Sequence, residues 1–261
     1  MQNAIVKLEL NNQLFILYVD VRSLEKTLNI LSILIKSLNV NLDIITVSET
    51  WETVSNSNYI FIPGYIKLSN GRKEGRKGGG VALLIKHNLY FTICDNYKIS
   101  SFESVLIELS GQVNSKKTII GAIYRPPNTD KLTVNIEFDN LLRSITKGCA
   151  SCILLGDYNI NLFNSSTDQD TDNFLKALFT NSVLLMITQS TRYGDQSATL
   201  IDNVITNKYL GQHLSGILLN DFSDHFPIFF GDISIKCHSE YFMKKVQIVS
   251  DNNLNCFEKK D

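Results

Sequence analysis

Read for its alternation of apolar and polar positions, the chain breaks into short β-type runs separated by a few helical stretches. Leu14 to Val19 is β-branched and aromatic and ends at Asp20-Val21-Arg22-Ser23, where Ser23 is placed to cap a helix reaching about Leu38. Leu24, Leu28, Leu31, Leu34, Ile35 and Leu38 give that helix one apolar face. A second strand over Asp43 to Val47 delivers Ser48-Glu49-Thr50-Trp51, and Asn56 to Asn70 reads as loop around Pro63-Gly64.

Further strands are predicted at Val81 to Lys86, Tyr90 to Ile93, Ser104 to Leu109 and Thr118 to Tyr124; proline stops the last of these at Arg125-Pro126-Pro127-Asn128. Helices follow at Val134 to Thr146 and Asp170 to Asn181, on either side of the run Ile153-Leu154-Leu155-Gly156-Asp157-Tyr158-Asn159. That run reads as a buried strand with Asp157 and Asn159 on one side of its carboxyl end, because residues i and i+2 share a face. Ser197 to Ile205 reads as a strand with Asp202 in its interior, a place that disfavours aspartate unless something pairs with it. Ser223-Asp224-His225 then precedes the apolar run Phe226 to Phe230.

Six runs thus carry a polar group at or near an end: Asp20, Glu49, Tyr124, Asp157 with Asn159, Asp202, and Asp224 with His225. Each alone fits an ordinary turn. Together, with carboxylates predominating, they suit a hard cation that takes oxygen ligands and leaves room for a substrate phosphate.

Composition narrows the class. At 261 residues with 44% hydrophobic content and no evident linker, the chain suits one α/β unit over 1–235 and a polar, poorly ordered tail over 236–261. A formal net charge of -1 excludes a global basic field of the kind a simple nucleic-acid-binding module carries, but not an enzyme whose cation supplies local positive charge. The glycine-rich basic segment Gly71 to Gly80 fits neither phosphate-binding glycine motif and reads equally as a loop near a phosphate backbone or a solvated hairpin. Five cysteines without a framework point to a reducing compartment, and Cys149-Ala150-Ser151-Cys152 lacks the second pair that a zinc site needs. Asp168-Gln169-Asp170-Thr171-Asp172 imitates an EF-hand start but reads as a helix cap, since Asn173 and Phe179 stand where glycine and glutamate belong. Histidines 87, 213 and 238 read as surface residues. No signal peptide or membrane-spanning run is evident.

The ordered series Ser48-Glu49-Thr50-Trp51, Gly78-Gly79-Gly80-Val81-Ala82, Ile123-Tyr124-Arg125-Pro126-Pro127-Asn128, Leu155-Gly156-Asp157-Tyr158-Asn159-Ile160-Asn161, Ala198-Thr199-Leu200-Ile201-Asp202-Asn203 and Ser223-Asp224-His225-Phe226-Pro227 resembles the endonuclease domain of LINE-type non-LTR retrotransposons. Those domains belong to the endonuclease/exonuclease/phosphatase superfamily, with DNase I and the apurinic endonucleases. The resemblance covers about residues 14 to 235. It implies an α/β (α+β) four-layer sandwich of two mostly antiparallel β-sheets flanked by helices, and an Mg²⁺-dependent DNA endonuclease, with Mn²⁺ as the alternative cation. In that picture Glu49 binds the metal, with Asp224 and Asp20 beside it. Asp157 positions or deprotonates the attacking water, Asn159 holds the scissile phosphate, and Tyr124 donates to the phosphate or steadies the leaving oxygen. His225, oriented by Asp202, assists proton transfer, and Asn128, Thr199, Ser223 and Arg125 contact substrate. DNA is the implied partner, no membrane is involved, and the location is intracellular and nuclear. A reverse transcriptase region, usual in such proteins, is not part of this chain. Asp20 stands where the family usually has asparagine. The alternatives are a phosphoesterase of the same fold acting on another substrate and a catalytically decayed retrotransposon relic.

Overall fold

The computed structural model describes residues 14–53, 60–71, 78–97, 99–109, 117–148, 150–194, 197–208, 213–220 and 223–232. The expected tail over 236–261 lies outside the described residues, as do most of the basic loop and Cys149.

Two βαβ units form its frame. The first comprises β1 (Leu14–Asp20), α1 (Leu24–Ser37) and β2 (Ile44–Ser48), with β1 and β2 parallel and Asp20 in register with Ser48. Antiparallel β3 (Tyr65–Asn70) and β4 (Val81–Lys86) extend this sheet beyond β2. In the second sheet β5 (Phe91–Ile93) and β6 (Glu103–Leu109) lead to β7 (Thr118–Tyr124). A second crossover through α2 (Lys131–Lys147) then reaches parallel β8 (Ser151–Asp157), with Tyr124 in register with Asp157. After α3 (Gln169–Thr180) come β9 (Leu184–Leu185), the separate hairpin β10 (Arg192–Gly194) and β11 (Ser197–Thr199), and β12 (Asp202–Thr206), which pairs antiparallel with β8. Finally β13 (His213–Ile217) and β14 (Ile228–Asp232) return to the first sheet, β14 lying beside β1. The strand orders are β13-β14-β1-β2-β4-β3 and β5-β6-β7-β8-β12-β9.

Alternation along β1 shows why the layers form. Phe15, Leu17 and Val19 pack with Leu24, Leu31 and Leu34 of α1, while Leu14, Ile16 and Tyr18 face the layer between the sheets. Every residue of β1 is buried, as expected of a central strand covered on both faces. On the other outer face α2 and α3 meet through Phe138 and Phe174, stacked with centroids 5.2 Å apart. Helix, sheet, sheet and helices make the four layers that the resemblance implies. No helix among the described residues is long and apolar enough to cross a membrane.

Several local expectations change. Residues 65–70 form an edge strand where a loop was expected, because pairing with β4 sustains it despite its half-exposed pattern. The strand expected over Ser197 to Ile205 is split at Leu200-Ile201 into β11 and β12, which places Asp202 at a strand start. Ser23 occupies the cap position of α1 with φ 100° and makes no side-chain cap bond; Asp130 and Asp168 do cap α2 and α3. His213 is not a surface residue: its side chain is buried, stacked on Phe230, and 3.6 Å from Asp232. Gly156 has a strict reason to be glycine, since a Cβ there would lie 1.7 Å from the Ile123 carbonyl oxygen.

Candidate active site

The site is assembled at the carboxyl ends of the two parallel strand pairs. Asp20 and Asp157 end β1 and β8, Asp202 begins β12 opposite Asp157, and His225 lies just before β14, bridged to Arg192 of the hairpin. Carboxylate oxygens of Asp20 and Asp157 and a ring nitrogen of His225 all lie within 4.8 Å of one another, and all three residues are buried.

Each group is held from more than one side. Asp157 accepts from the Asn159 backbone N–H at 2.7 Å and from its side-chain Nδ2 at 2.9 Å. Asn159, at φ 47°, also donates from Nδ2 to the Arg125 carbonyl at 2.7 Å. His225 Nδ1 donates to Asp202, 3.0 Å from each carboxylate oxygen. Ser48 Oγ donates to Asp20 Oδ2 at 3.0 Å, while the buried Asp20 Oδ1 has no hydrogen-bond partner among the described residues.

Glu49 sits at the rim, at φ 54°, its Oε2 accepting from the Gly79 backbone N–H at 2.7 Å and from the Trp51 indole. Gly78, Gly79 and Gly80 all have φ between +76° and +88°, a backbone that presents N–H groups to an anion and that glycine adopts without strain. Thus two glycines of the basic segment meet carboxylates, Gly79 donating to Glu49 and Gly80 to Glu103; residues 72–77 lie outside the described residues.

Electrostatics follow from burying three carboxylates around one imidazole. Burial, then the neighbouring Asp202 and Glu49, raise the Asp20 carboxyl to about 7 against the pull of His225 and Ser48. Burial and the Asp202 and Asp20 charges push Asp157 well above the usual carboxylate range. For His225 burial works against the charged ring, but Asp202, with Asp20 and Asp157, outweighs it and raises the imidazole to about 9. His225 is therefore imidazolium at neutral pH in the metal-free protein.

The remaining expected site residues are placed as follows. Tyr124 is buried at the end of β7, beside Asp157. Arg125 is fully buried, donating from Nη1 to the Asn159 carbonyl at 2.9 Å and from Nη2 to the Thr129 carbonyl at 2.7 Å, so its guanidinium holds the two loops together. Asp224 turns to arginines, forming ion pairs with Arg22 at 2.8 Å and Arg192 at 2.9 Å, and lies outside the Asp20, Asp157 and His225 group. Its partial burial is outweighed by Arg192, His225 and Arg22, which leave its carboxyl below the usual range. Ser223 exchanges hydrogen bonds with the His225 backbone, Thr199 is half-buried in β11, and Asn128 is exposed in the turn after Pro127.

Sequence reading missed Tyr18, Ser48, Arg22 and Arg192. Tyr18 had a signal, because it shares the inner face of β1 with Asp20 two residues later. The arginines had none, since only tertiary structure brings them to Asp224. The buried Cys152, its thiol pushed up to about 12 by burial, takes no part.

The residues fit a divalent cation. An unpartnered buried carboxylate oxygen on Asp20, with Asp157 alongside and Glu49 at the rim, provides hard oxygen ligands with excess negative charge for it to neutralise.

A family model described as the endonuclease/exonuclease/phosphatase family matches residues 17–225. A search of curated protein sequences finds no match. Among solved structures, the fold is similar to the AP endonuclease LMAP from Leishmania major, with a TM-score of 0.68, 12% identity, and coverage of 85% of this chain and 88% of that one. It is also similar to the endonuclease domain of TRAS1, a telomere-specific non-LTR retrotransposon, with a TM-score of 0.66, 13% identity, and coverage of 84% and 98%. The 3′ phosphatase NExo from Neisseria, bound to a product DNA hairpin, gives a TM-score of 0.57 at 14% identity, covering 83% and 98%.

Proposed function

The chain belongs to the endonuclease/exonuclease/phosphatase family, and on that footing we propose that it is an Mg²⁺-dependent endonuclease that hydrolyses phosphodiester bonds in DNA, nicking a target site for retrotransposition. One observation carries the reading: Asp20, Asp157 and the Asp202-paired His225 come from both sheets and converge within one buried cluster. Chance placement of turn residues does not produce that convergence. The order and wording of the motifs, Arg125-Pro126-Pro127 and Ala198-Thr199-Leu200-Ile201-Asp202-Asn203 among them, favour the retrotransposon branch.

A bound Mg²⁺ or Mn²⁺, held by Asp20 and Glu49 with Asp157 adjacent, would supply positive charge against the phosphate. The side chains divide the remaining work. His225, with Nδ1 engaged by Asp202, keeps its other N–H as a donor toward a phosphate oxygen. Asp157, its pKa raised, is suited to take a proton from the attacking water while Asn159 fixes its orientation. Tyr124, buried beside Asp157, is proposed to donate to the phosphate or to steady the leaving oxygen. Arg22 and Arg192, both partly exposed, put positive charge beside the site without entering it. Asn128, Thr199 and Ser223 are proposed substrate contacts, and the nucleus is the proposed location.

A supercoiled-plasmid assay tests this. Nicking should require Mg²⁺ or Mn²⁺ and should fall by roughly three orders of magnitude in Glu49→Gln, Asp157→Asn and His225→Ala. Variants as fast as the parent would put the site elsewhere. Activity on a 3′-phosphate or another phosphoester, with none on plasmid, would keep the centre and replace the substrate.

A further inference from the structure

Asp20 and the Asp202 and His225 pair stand apart in the chain, yet two buried hydroxyls join them. Ser48 Oγ donates to Asp20 Oδ2 at 3.0 Å, and Tyr18 Oη lies 2.8 Å from Ser48 Oγ. Tyr18 Oη donates in turn to Asp202 Oδ1 at 2.9 Å, and His225 Nδ1 closes the series on Asp202. Both hydroxyl residues are inaccessible, Ser48 at 0% and Tyr18 at 1% exposure.

Strand geometry explains the arrangement. Tyr18 and Asp20 share one face of β1, and Ser48 is the parallel register partner of Asp20, so three polar groups enter the layer between the sheets together. Asp202, opposite Asp157 at the start of β12, supplies the acceptor from the facing sheet.

Counting protons exposes a degree of freedom. The series has three contacts between Asp20 and Asp202, but with both ends ionised it has only two hydroxyl protons. Tyr18 can give its proton to Asp202 in either arrangement. Ser48 must choose between Asp20 and Tyr18. If it gives its proton to Asp20, the contact between the hydroxyls lacks one; if it turns to Tyr18, Asp20 is left without a donor. Asp20 Oδ1 already has no partner, so the second arrangement leaves both its oxygens free for a cation. A tyrosine hydroxyl that also accepts a hydrogen bond is a better donor, because linked hydrogen bonds polarise one another.

We propose that Ser48 and Tyr18 form a hydroxyl relay that couples cation binding at Asp20 to the Asp202 carboxylate, making Tyr18 a positioning residue for the His225 imidazole. The inference rests on the metal-dependent reading of the site and adds a link between its two ends. Tyr18 touches no substrate in this scheme and acts through Asp202.

The test uses the full chain as parent, Tyr18→Phe and Ser48→Ala, with histidine labelled at its ring nitrogens. Magnesium alone, added without DNA, should move the His225 Nδ1 resonance in the parent and should move it much less in both variants. Magnesium affinity by calorimetry should stay within about threefold in Tyr18→Phe, since that residue is not a ligand. In the plasmid assay kcat should fall roughly ten- to a hundredfold in Tyr18→Phe with KM unchanged. An unchanged magnesium response of His225 in both variants, or a parent-like kcat in Tyr18→Phe, overturns the relay while leaving the nuclease reading intact. If Tyr18→Phe does not fold, Ser48→Ala, which deletes one small hydroxyl, decides on the resonance alone. A parent that neither binds magnesium nor nicks DNA fails the function reading, and the coupling fails with it.

Discussion

Two clusters of buried titratable groups, at opposite ends of β1, show how differently one sheet treats its charge. Asp232 pairs in register with Leu14 at one end, and Asp20 closes the other, about 20 Å away at strand spacing. Asp232 is fully buried but met by the Lys208 ammonium, with His213 behind it. That charge is matched within the chain. At the other end Asp20, Asp157 and Asp202 share a single imidazole, and the carboxyls of Asp20 and Asp157 are driven upward in consequence. The first cluster is matched within the chain, whereas the second holds more acid groups than its one imidazole can offset, an excess that a divalent cation would neutralise.

The sharpest contrast comes from replacing one acid in each cluster or its partner. Asp157→Asn should reduce nicking by roughly a thousandfold yet raise the melting temperature of the metal-free protein at neutral pH, because folding forces the buried Asp157 carboxyl to take up a proton that an amide does not need. A drop in stability would mean that the site is balanced after all. Lys208→Met should act in reverse, costing about 3–5 kcal/mol in denaturant unfolding because it removes the ammonium that faces the buried Asp232 carboxylate, while leaving kcat of the folded fraction unchanged.

Acidity distinguishes the clusters more gently. Burial raises the Asp20 carboxyl from the ordinary 3.8 to about 7 in the folded chain, so its contribution to stability is full below 3.8 and is lost as pH rises through about 7. His225, raised from 6.5 to about 9, contributes fully below 6.5 and loses that contribution as pH rises through about 9. Both terms have the same sign, so melting temperature in a chelator should fall between pH 6 and pH 9, by a few kcal/mol of stability in all. Millimolar Mg²⁺ should flatten the fall, since it binds the deprotonated carboxylates of the folded state. A parallel curve with and without Mg²⁺ would remove the cation from the site. The smallest effect belongs to Asp20→Asn. Its amide oxygen can still accept from Ser48, so the fold should persist, with a shallower pH dependence and Mg²⁺ affinity weaker by about tenfold in calorimetry.

Much of this arrangement was legible in the chain because strand ends announce themselves. The glycine before Asp157 and the alternation of Asp157 with Asn159 marked the end of β8, and Ser48-Glu49 marked the end of β2. What alternation cannot report is what lies across a sheet. Arg22 and Arg192 reach Asp224 only through tertiary packing, and Arg125 proved to be a buried brace between loops. His213 sits among residues that read as polar surface, yet the return of β14 covers its ring with Phe230. Edge strand β3 escaped notice because its six residues are only half-buried, and its partner β4 rather than its own pattern holds it in place.

The order of the strands also governs when chemistry can begin. Asp20 arrives with the first described strand, but His225 comes just before β14, the last described strand, which pairs with β1. A ribosome-bound chain lacking that closing segment carries most of its core without a working centre. On the proposed function, a chain synthesised only as far as β12 lacks the His225 imidazole and should leave nearby nucleic acid intact.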